Sequence, residues 1–286
     1  MTPVAVAGLS GRALRYAEVA PGPDGPRLRR LGAADFTLDV EAAVFETGDP
    51  EALQAVAEAL AAGFGGAPLE TLVVAAHPTA TTSFFSRLPA ALSDDARDGQ
   101  LRQETALLAD LAPTQAVRVR SRAVRTEGAH EWHHVVHVDE PVHDRLAALA
   151  LAVGASGYDL ADTTRAAASA AGGPGVALVV GAFATHTEVA VAVDGVFRFG
   201  SHGPSTAAAD TAYFALAALQ QAGVEPGDVA RFLAYGDDAR DERLDLAAEF
   251  VGRERTWLDP FALFARRPEA DPAELAAFGP VVGAAL

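Results

Sequence analysis

The chain has 286 residues, half of them hydrophobic, with a net charge of −16, no cysteine, and arginine at all 22 basic positions. Those absences exclude a thiol nucleophile, a disulfide, a cysteine-held zinc or iron–sulfur cluster, a Schiff-base lysine and a P-loop lysine. The acidic balance speaks against a sequence-independent grip on nucleic acid, which depends on Lys and Arg releasing counterions from phosphates.

The length predicts about two lobes around a sizeable core. Val4-Ala5-Val6-Ala7 runs into Gly8-Leu9-Ser10-Gly11, and residues 14–19 lead away as a second strand. A Pro/Gly turn cluster at 21–26 precedes an extended piece over 27–38. Asp49 as N-cap and Pro50 at the first helical position predict a helix to about residue 62. Strands are expected over 69–76 and 82–88, and Ser93-Asp94-Asp95 opens a helix to about 110 with its acids at the positive end of the dipole. Residues 116–124 alternate Val117 and Val119 with Arg118, Arg120 and Arg122, the pattern of a half-exposed strand, and 132–138 pairs with it through the Thr126-Glu127-Gly128 turn. Glu140-Pro141 opens a helix to 153, closed by Gly154, and a short strand near Tyr158 and an alanine-rich helix to Ala171 follow.

Residues 166–185 carry no charge, but Gly172-Gly173-Pro174-Gly175 interrupts them, so no membrane span is expected. The N-terminal residues lack a secretory pattern, which predicts a cytoplasmic protein. The opening layout then recurs: Ala177-Leu178-Val179-Val180 runs into Gly181-Ala182-Phe183-Ala184, and a strand from Thr187 through Glu188 leads away to an Asp194-Gly195 hairpin turn and a third strand at 196–199. A helix over 207–222 closed by Gly223, a strand over 229–235 and a helix over 239–251 complete the order. The pattern is mixed α/β, with a boundary near Gly172 separating a first lobe, 1–172, that carries an inserted subdomain, from a second lobe, 173–286.

On these residues the chain resembles the actin-like ATPase superfamily, whose duplicated ribonuclease H-like lobes carry mixed sheets. Within it, the chain is similar to the type IV pilus assembly proteins of the PilM kind, relatives of the division protein FtsA, and to an uncharacterised Bacteroidetes family of the same fold. Gly8-Leu9-Ser10, Arg15 and Ala17-Glu18-Val19 stand at the first phosphate loop, Phe84-Phe85-Ser86-Arg87-Leu88-Pro89 and Glu104 at the middle motif, Gly181-Ala182-Phe183 with Thr187-Glu188 at the second loop, Tyr235-Gly236 at the adenosine side, and Leu258-Asp259-Pro260-Phe261 at the closing phrase. The resemblance implies a nucleotide cleft at Gly8, Ser10, Arg15, Gly181, Thr187, Glu188 and Gly236. Both metal-organising aspartates of the family are glycine here, Gly8 and Gly181, and Phe183 replaces a phosphate-loop glycine. Phosphoryl transfer rests on positioned charge and metal, so the expectation is a pseudo-ATPase without catalytic residues, cofactor or metal. It would bind a protein partner of a pilus or envelope assembly, with oligomerisation left open. The alternative is nucleotide binding without efficient hydrolysis, with Ser10, Arg15 and Thr187 on the phosphate and Gly236 near the base.

A further alternative is a zinc hydrolase, because His130-Glu131-Trp132-His133-His134 satisfies H-E-x-x-H. That motif works on a helix. The β-branched flank Val135, Val136 and Val138 predicts a strand, on which residues four apart lie roughly 13 Å from each other, too far to share an ion. Ser10 and Ser86 lack a nucleophile elbow. Asp237-Asp238 reads as a helix-capping pair and His77-Pro78 as a strand-ending loop.

Overall fold

The computed structural model describes residues 2–65, 69–111, 117–204 and 207–286. A two-residue turn between strands needs positive φ, which Gly11 supplies at +54° between β1 (Val4–Ser10) and β2 (Ala13–Ala20). β3 (Arg27–Asp35) completes an antiparallel meander and alternates exposed and half-buried residues as an outer strand should. After a short α1 (Val40–Ala42), α2 (Pro50–Phe64) starts where expected. The Asp49 carboxylate accepts from the Glu51 and Ala52 amides, Pro50 occupies the first position and Gly65 closes the helix at φ +65°. Its buried residues Ala52, Val56, Leu60 and Phe64 recur every four positions and form one apolar stripe.

β4 (Leu72–Ala76) lies parallel to β1 and leads into an insertion: β5 (Thr82–Pro89), α3 (Asp94–Leu108), β6 (Val119–Glu127) and β7 (His130–His137). These strands form a separate antiparallel sheet ordered β5-β7-β6. The expected start of β6 at Ala116 lies outside the described residues. α4 (Glu140–Ala152) then returns the chain to β8 (Tyr158–Asp162), the far edge of a five-stranded sheet ordered β3-β2-β1-β4-β8.

α5 (Thr163–Ala171) joins this sheet to its copy. β9 (Val176–Ala182), β10 (Thr187–Val193) and β11 (Val196–Gly203) form the second meander, turning at Asp194 and Gly195 with φ of +52° and +75°. α6 (Ala208–Ala222), β12 (Val229–Tyr235), α7 (Asp245–Phe250) and β13 (Arg255–Trp257) complete a sheet ordered β11-β10-β9-β12-β13. Strand for strand this repeats the first order, with β12 and β13 parallel as β4 and β8 are. The helix expected over 239–251 is shorter at its start: Asp241 caps a 3-10 turn, Glu242–Leu244, and α7 begins only at Asp245.

Each five-stranded sheet is covered on both faces. Phe64, Leu60, Leu146 and Leu149 from α2 and α4 pack on one face of the first, and α6 and α7 cover the corresponding face of the second. The back of the first sheet, Val6, Ala17, Val19 and Ala75, is covered by Phe261 and Phe264, which precede α8 (Pro272–Ala276), and by Val281 and Val282 of α9 (Gly279–Ala285). Helices α5 and α9 meet backbone to backbone: a Cβ on Gly283 would lie 1.8 Å from the Ala166 carbonyl oxygen. Only glycine fits there, and the alanine composition of α5 is what permits so close an approach. Among the described residues no helix is long and apolar enough to cross a membrane.

Candidate functional site

The ends of the two meanders face each other across a cavity of about 760 Å³, lined from one side by Ser10, Gly11 and Glu41 and from the other by Phe183, His186 and Asp237. Two residues before Ser10 and two before Phe183, the floor of the cleft between the sheets carries two bare glycines. Gly8 on β1 lies between Arg15 on β2 and Ala75 on β4; Gly181 on β9 lies between Glu188 on β10 and Tyr235 on β12. Directly paired residues carry their side chains on the same face. A glycine in the middle therefore leaves a gap that its neighbours can fill. Tyr235 does so: a Cβ on Gly181 would sit 2.5 Å from the Tyr235 Cζ. Val281 of α9 fills the other gap, 2.8 Å from where a Gly8 Cβ would be.

Two ion pairs cross the cleft, and they occupy equivalent places in the two copies. Arg15, the β2 partner of Gly8, pairs with Asp237, two residues beyond Tyr235, at 2.5 Å. Glu188, the β10 partner of Gly181, pairs with His77, two residues beyond Ala75, at 2.6 Å. The loop residues follow the same exchange. The Ser10 hydroxyl donates to Asp237 at 2.6 Å, and the Phe183 ring, at Ser10's counterpart, meets the edge of His77 at 4.5 Å between centroids.

Only one of the bridges is dry. The Arg15 and Asp237 side chains retain 19% and 32% of their exposure, whereas those of His77 and Glu188 retain 4% and 0%. A buried carboxylate needs its oxygens satisfied. Oε1 of Glu188 accepts from protonated His77 Nδ1, from the Thr163 hydroxyl at 2.8 Å and from His186 Nε2 at 3.3 Å; Oε2 accepts from the Tyr235 hydroxyl at 2.5 Å. Burial disfavours charge on both partners, yet each ion outweighs it for the other. His77, facing Glu188 with Glu41 and Asp237 further off, is pushed up to about 9, and Glu188 is held far below the ordinary carboxylate range by His77 and His186. Burial and then the neighbouring carboxylate raise Tyr235, so it remains a donor.

Of the residues singled out in the sequence, Gly8, Ser10, Arg15, Gly181 and Glu188 meet at this floor. Gly236 lies at the end of β12 with φ +95°, where a Cβ would strike the Ala182 carbonyl oxygen at 2.5 Å. Thr187 does not join them. As the strand neighbour of Glu188 its side chain takes the opposite face, and its buried hydroxyl has no hydrogen-bond partner among the described residues. Asp237 and Asp238 are not a capping pair: α7 begins well after them, and Asp237 is spent on Ser10 and Arg15. His77 stands in the loop that ends β4, as expected, but its side chain is a buried ion-pair partner. The sequence does not mark Thr163 and Tyr235 as partners of Glu188 because each reaches it from a distant segment, whereas His186 stands only two residues before it. The one available signal was the duplication, which maps the residue two beyond the β4 partner of Gly8 onto the residue two beyond the β12 partner of Gly181.

The histidine-rich segment is strand β7, so His130 and His134 share no site. His133 turns to Glu131 at 2.9 Å, and His134 stacks on Phe85, which itself stacks on Phe199 of β11. Between β6, β8 and α5 lies a second cavity of about 330 Å³, lined by Arg120, Arg122, His134, Asp159 and Arg165. Asp159 takes up Arg120 at 3.2 Å and Arg122 at 3.6 Å. The half-buried Arg165 guanidinium has neither a hydrogen bond nor an ion pair among the described residues.

No protein-family model and no curated protein matches the chain. Solved structures do. A PilM–PilN type IV pilus biogenesis complex matches with TM-score 0.67 at 14% identity, over 99% of this chain and 96% of that chain. The ethanolamine utilization protein EutJ from Carboxydothermus hydrogenoformans matches with TM-score 0.53 at 12% identity, over 100% and 89%. A Bacteroides thetaiotaomicron protein with actin-like ATPase fold and unknown function matches with TM-score 0.51 at 9% identity, over 89% and 90%. The chain has the actin-like ATPase fold and resembles PilM.

Proposed function

We propose that this chain is a partner-binding scaffold on an actin-like frame, held together across its cleft by its own side chains in place of a nucleotide. The observation that carries this reading is the filling of the glycine gaps by Val281 and Tyr235. A Mg²⁺-nucleotide does not fit such a floor. The carboxylates that would organise the metal are absent, Phe183 closes the loop that would wrap the phosphates, and Asp35, Asp39, Glu41 and Glu46 line the cavity with the same sign as a phosphate chain. Without those carboxylates and with Phe183 in the loop, the groups that phosphoryl transfer needs are not assembled.

The partner surface is the groove between β6 and β8. Both are edge strands, which offer unpaired backbone to an extended segment. On a chain of net charge −16 the groove gathers Arg120, Arg122 and Arg165, so it suits a segment bearing carboxylates. The likeness to PilM, seen in a PilM–PilN complex, supports a partner from a pilus assembly.

Calorimetric titration with ATP and Mg²⁺ tests the cleft: no saturable heat is expected, and micromolar binding would overturn the reading. Copurification from the source cell tests the groove. The complex should be lost in Arg165→Glu and kept in Arg240→Glu, an exposed arginine paired with Asp271; loss of neither or both removes the groove from the proposal.

A further inference from the structure

At the floor of the cleft the chain brings two imidazoles and a carboxylate to one point. His77, His186 and Glu188 offer one ligand atom each, all within 4.8 Å of one another, and all three residues are buried. Two histidines with one glutamate is a donor set that zinc takes with a fourth position left open, and the same set suits other divalent transition metals. Metal bonds of about 2.0–2.2 Å in a tetrahedron separate neighbouring ligand atoms by roughly 3.3 Å. His186 Nε2 and Glu188 Oε1 are already 3.3 Å apart. His77 Nδ1, at 2.6 Å from the same oxygen, would have to withdraw by roughly 0.7 Å as its hydrogen bond gave way to a metal bond.

The surroundings are those a metal site needs. Ligating groups are normally oriented by outer hydrogen bonds. Here the Thr185 hydroxyl lies 3.1 Å from His186 Nδ1, while Thr163 and Tyr235 both donate to Glu188. His186 also lines the 760 Å³ cavity, whose mouth carries Asp35, Asp39, Glu41 and Glu46. That field repels phosphate but draws in cations.

We propose that His77, His186 and Glu188 form a binding site for a divalent transition metal, zinc above all, with ligands drawn from both sheets. The site is distinct from the H-E-x-x-H segment on β7 and needs no nucleotide. It is also independent of the partner groove, so the two proposals fail separately.

Protein stripped with chelator and dialysed is titrated with Zn²⁺ calorimetrically, and with Co²⁺ while its visible absorption is recorded. The expected result is one ion per chain, with Co²⁺ bands of tetrahedral or five-coordinate intensity and a melting temperature that climbs with Zn²⁺ concentration. His186→Ala leaves the His77–Glu188 pair intact and so should fold, but should weaken Zn²⁺ at least tenfold. His77→Gln serves as the second variant and should do the same. Two results would overturn the proposal: no saturable one-to-one binding by the unaltered chain, or binding that neither variant weakens, which would place the ion on the acidic surface.

Discussion

The two bridges across the cleft stand at equivalent positions of a duplicated fold, yet one is a wet arginine–aspartate pair and the other a dry histidine–glutamate pair with three further donors. The difference begins one strand away. Beside Gly8 stands Ala75, which reaches nothing; beside Gly181 stands Tyr235, which lies across the glycine and caps the carboxylate. Phe183 then seals what Ser10 leaves open, stacking on His186 at 4.7 Å. Duplication supplied two similar frames, and a few side chains turned one of them into a closed polar core.

Their energies should differ accordingly. Removing one member of a buried pair strands the other in low dielectric, whereas an exposed pair yields little because water solvates both partners anyway. Glu188→Ala should cost about 3–5 kcal/mol in urea unfolding of metal-free protein; a loss below about 1 kcal/mol would mean the dry bridge is no stronger than its wet counterpart. Gly181→Asp, which restores a family carboxylate, should cost about 1–3 kcal/mol by overpacking against Tyr235. A double-mutant cycle sharpens this, since in a Tyr235→Ala background the aspartate should be tolerated better, and additive costs would show that the tyrosine does not fill the gap. Arg15→Ala should cost only about 0–1 kcal/mol and lose even that in high salt; a larger, salt-insensitive cost would show that both bridges act alike.

Much of the fold was legible because its signals are local. Asp194-Gly195 announced its turn, Asp49-Pro50 marked the start of α2, and Val135, Val136 and Val138 showed that the histidines lie on a strand. The repeat of a strand, a glycine turn and a strand exposed the duplication and with it the fold. The site was less legible because its partners are far apart in sequence. His77 and Glu188 are separated by 111 positions, and nothing near His77 foretells a buried charge. Thr187 and Glu188 look equivalent as neighbours in a row, but strand alternation sends one into the cleft floor and the other away. The start of α7 was missed for a third reason: the aspartates at 237 and 238 have helix-capping chemistry, and a tertiary contact claims the first of them.

The cover on the back of the first sheet has a consequence for how the chain is made. Val6, Ala17, Val19 and Ala75 leave the ribosome early, but Phe261, Phe264, Val281 and Val282, which shield them, are translated last among the elements of this core. At about 5–20 residues per second, that apolar face waits on the order of 10–50 s for its partners. Through that interval the nascent chain carries two paired meanders in prospect and one uncovered surface in fact, so a chaperone that recognises exposed aliphatic strands has its longest opportunity on the half of the molecule that is synthesised first.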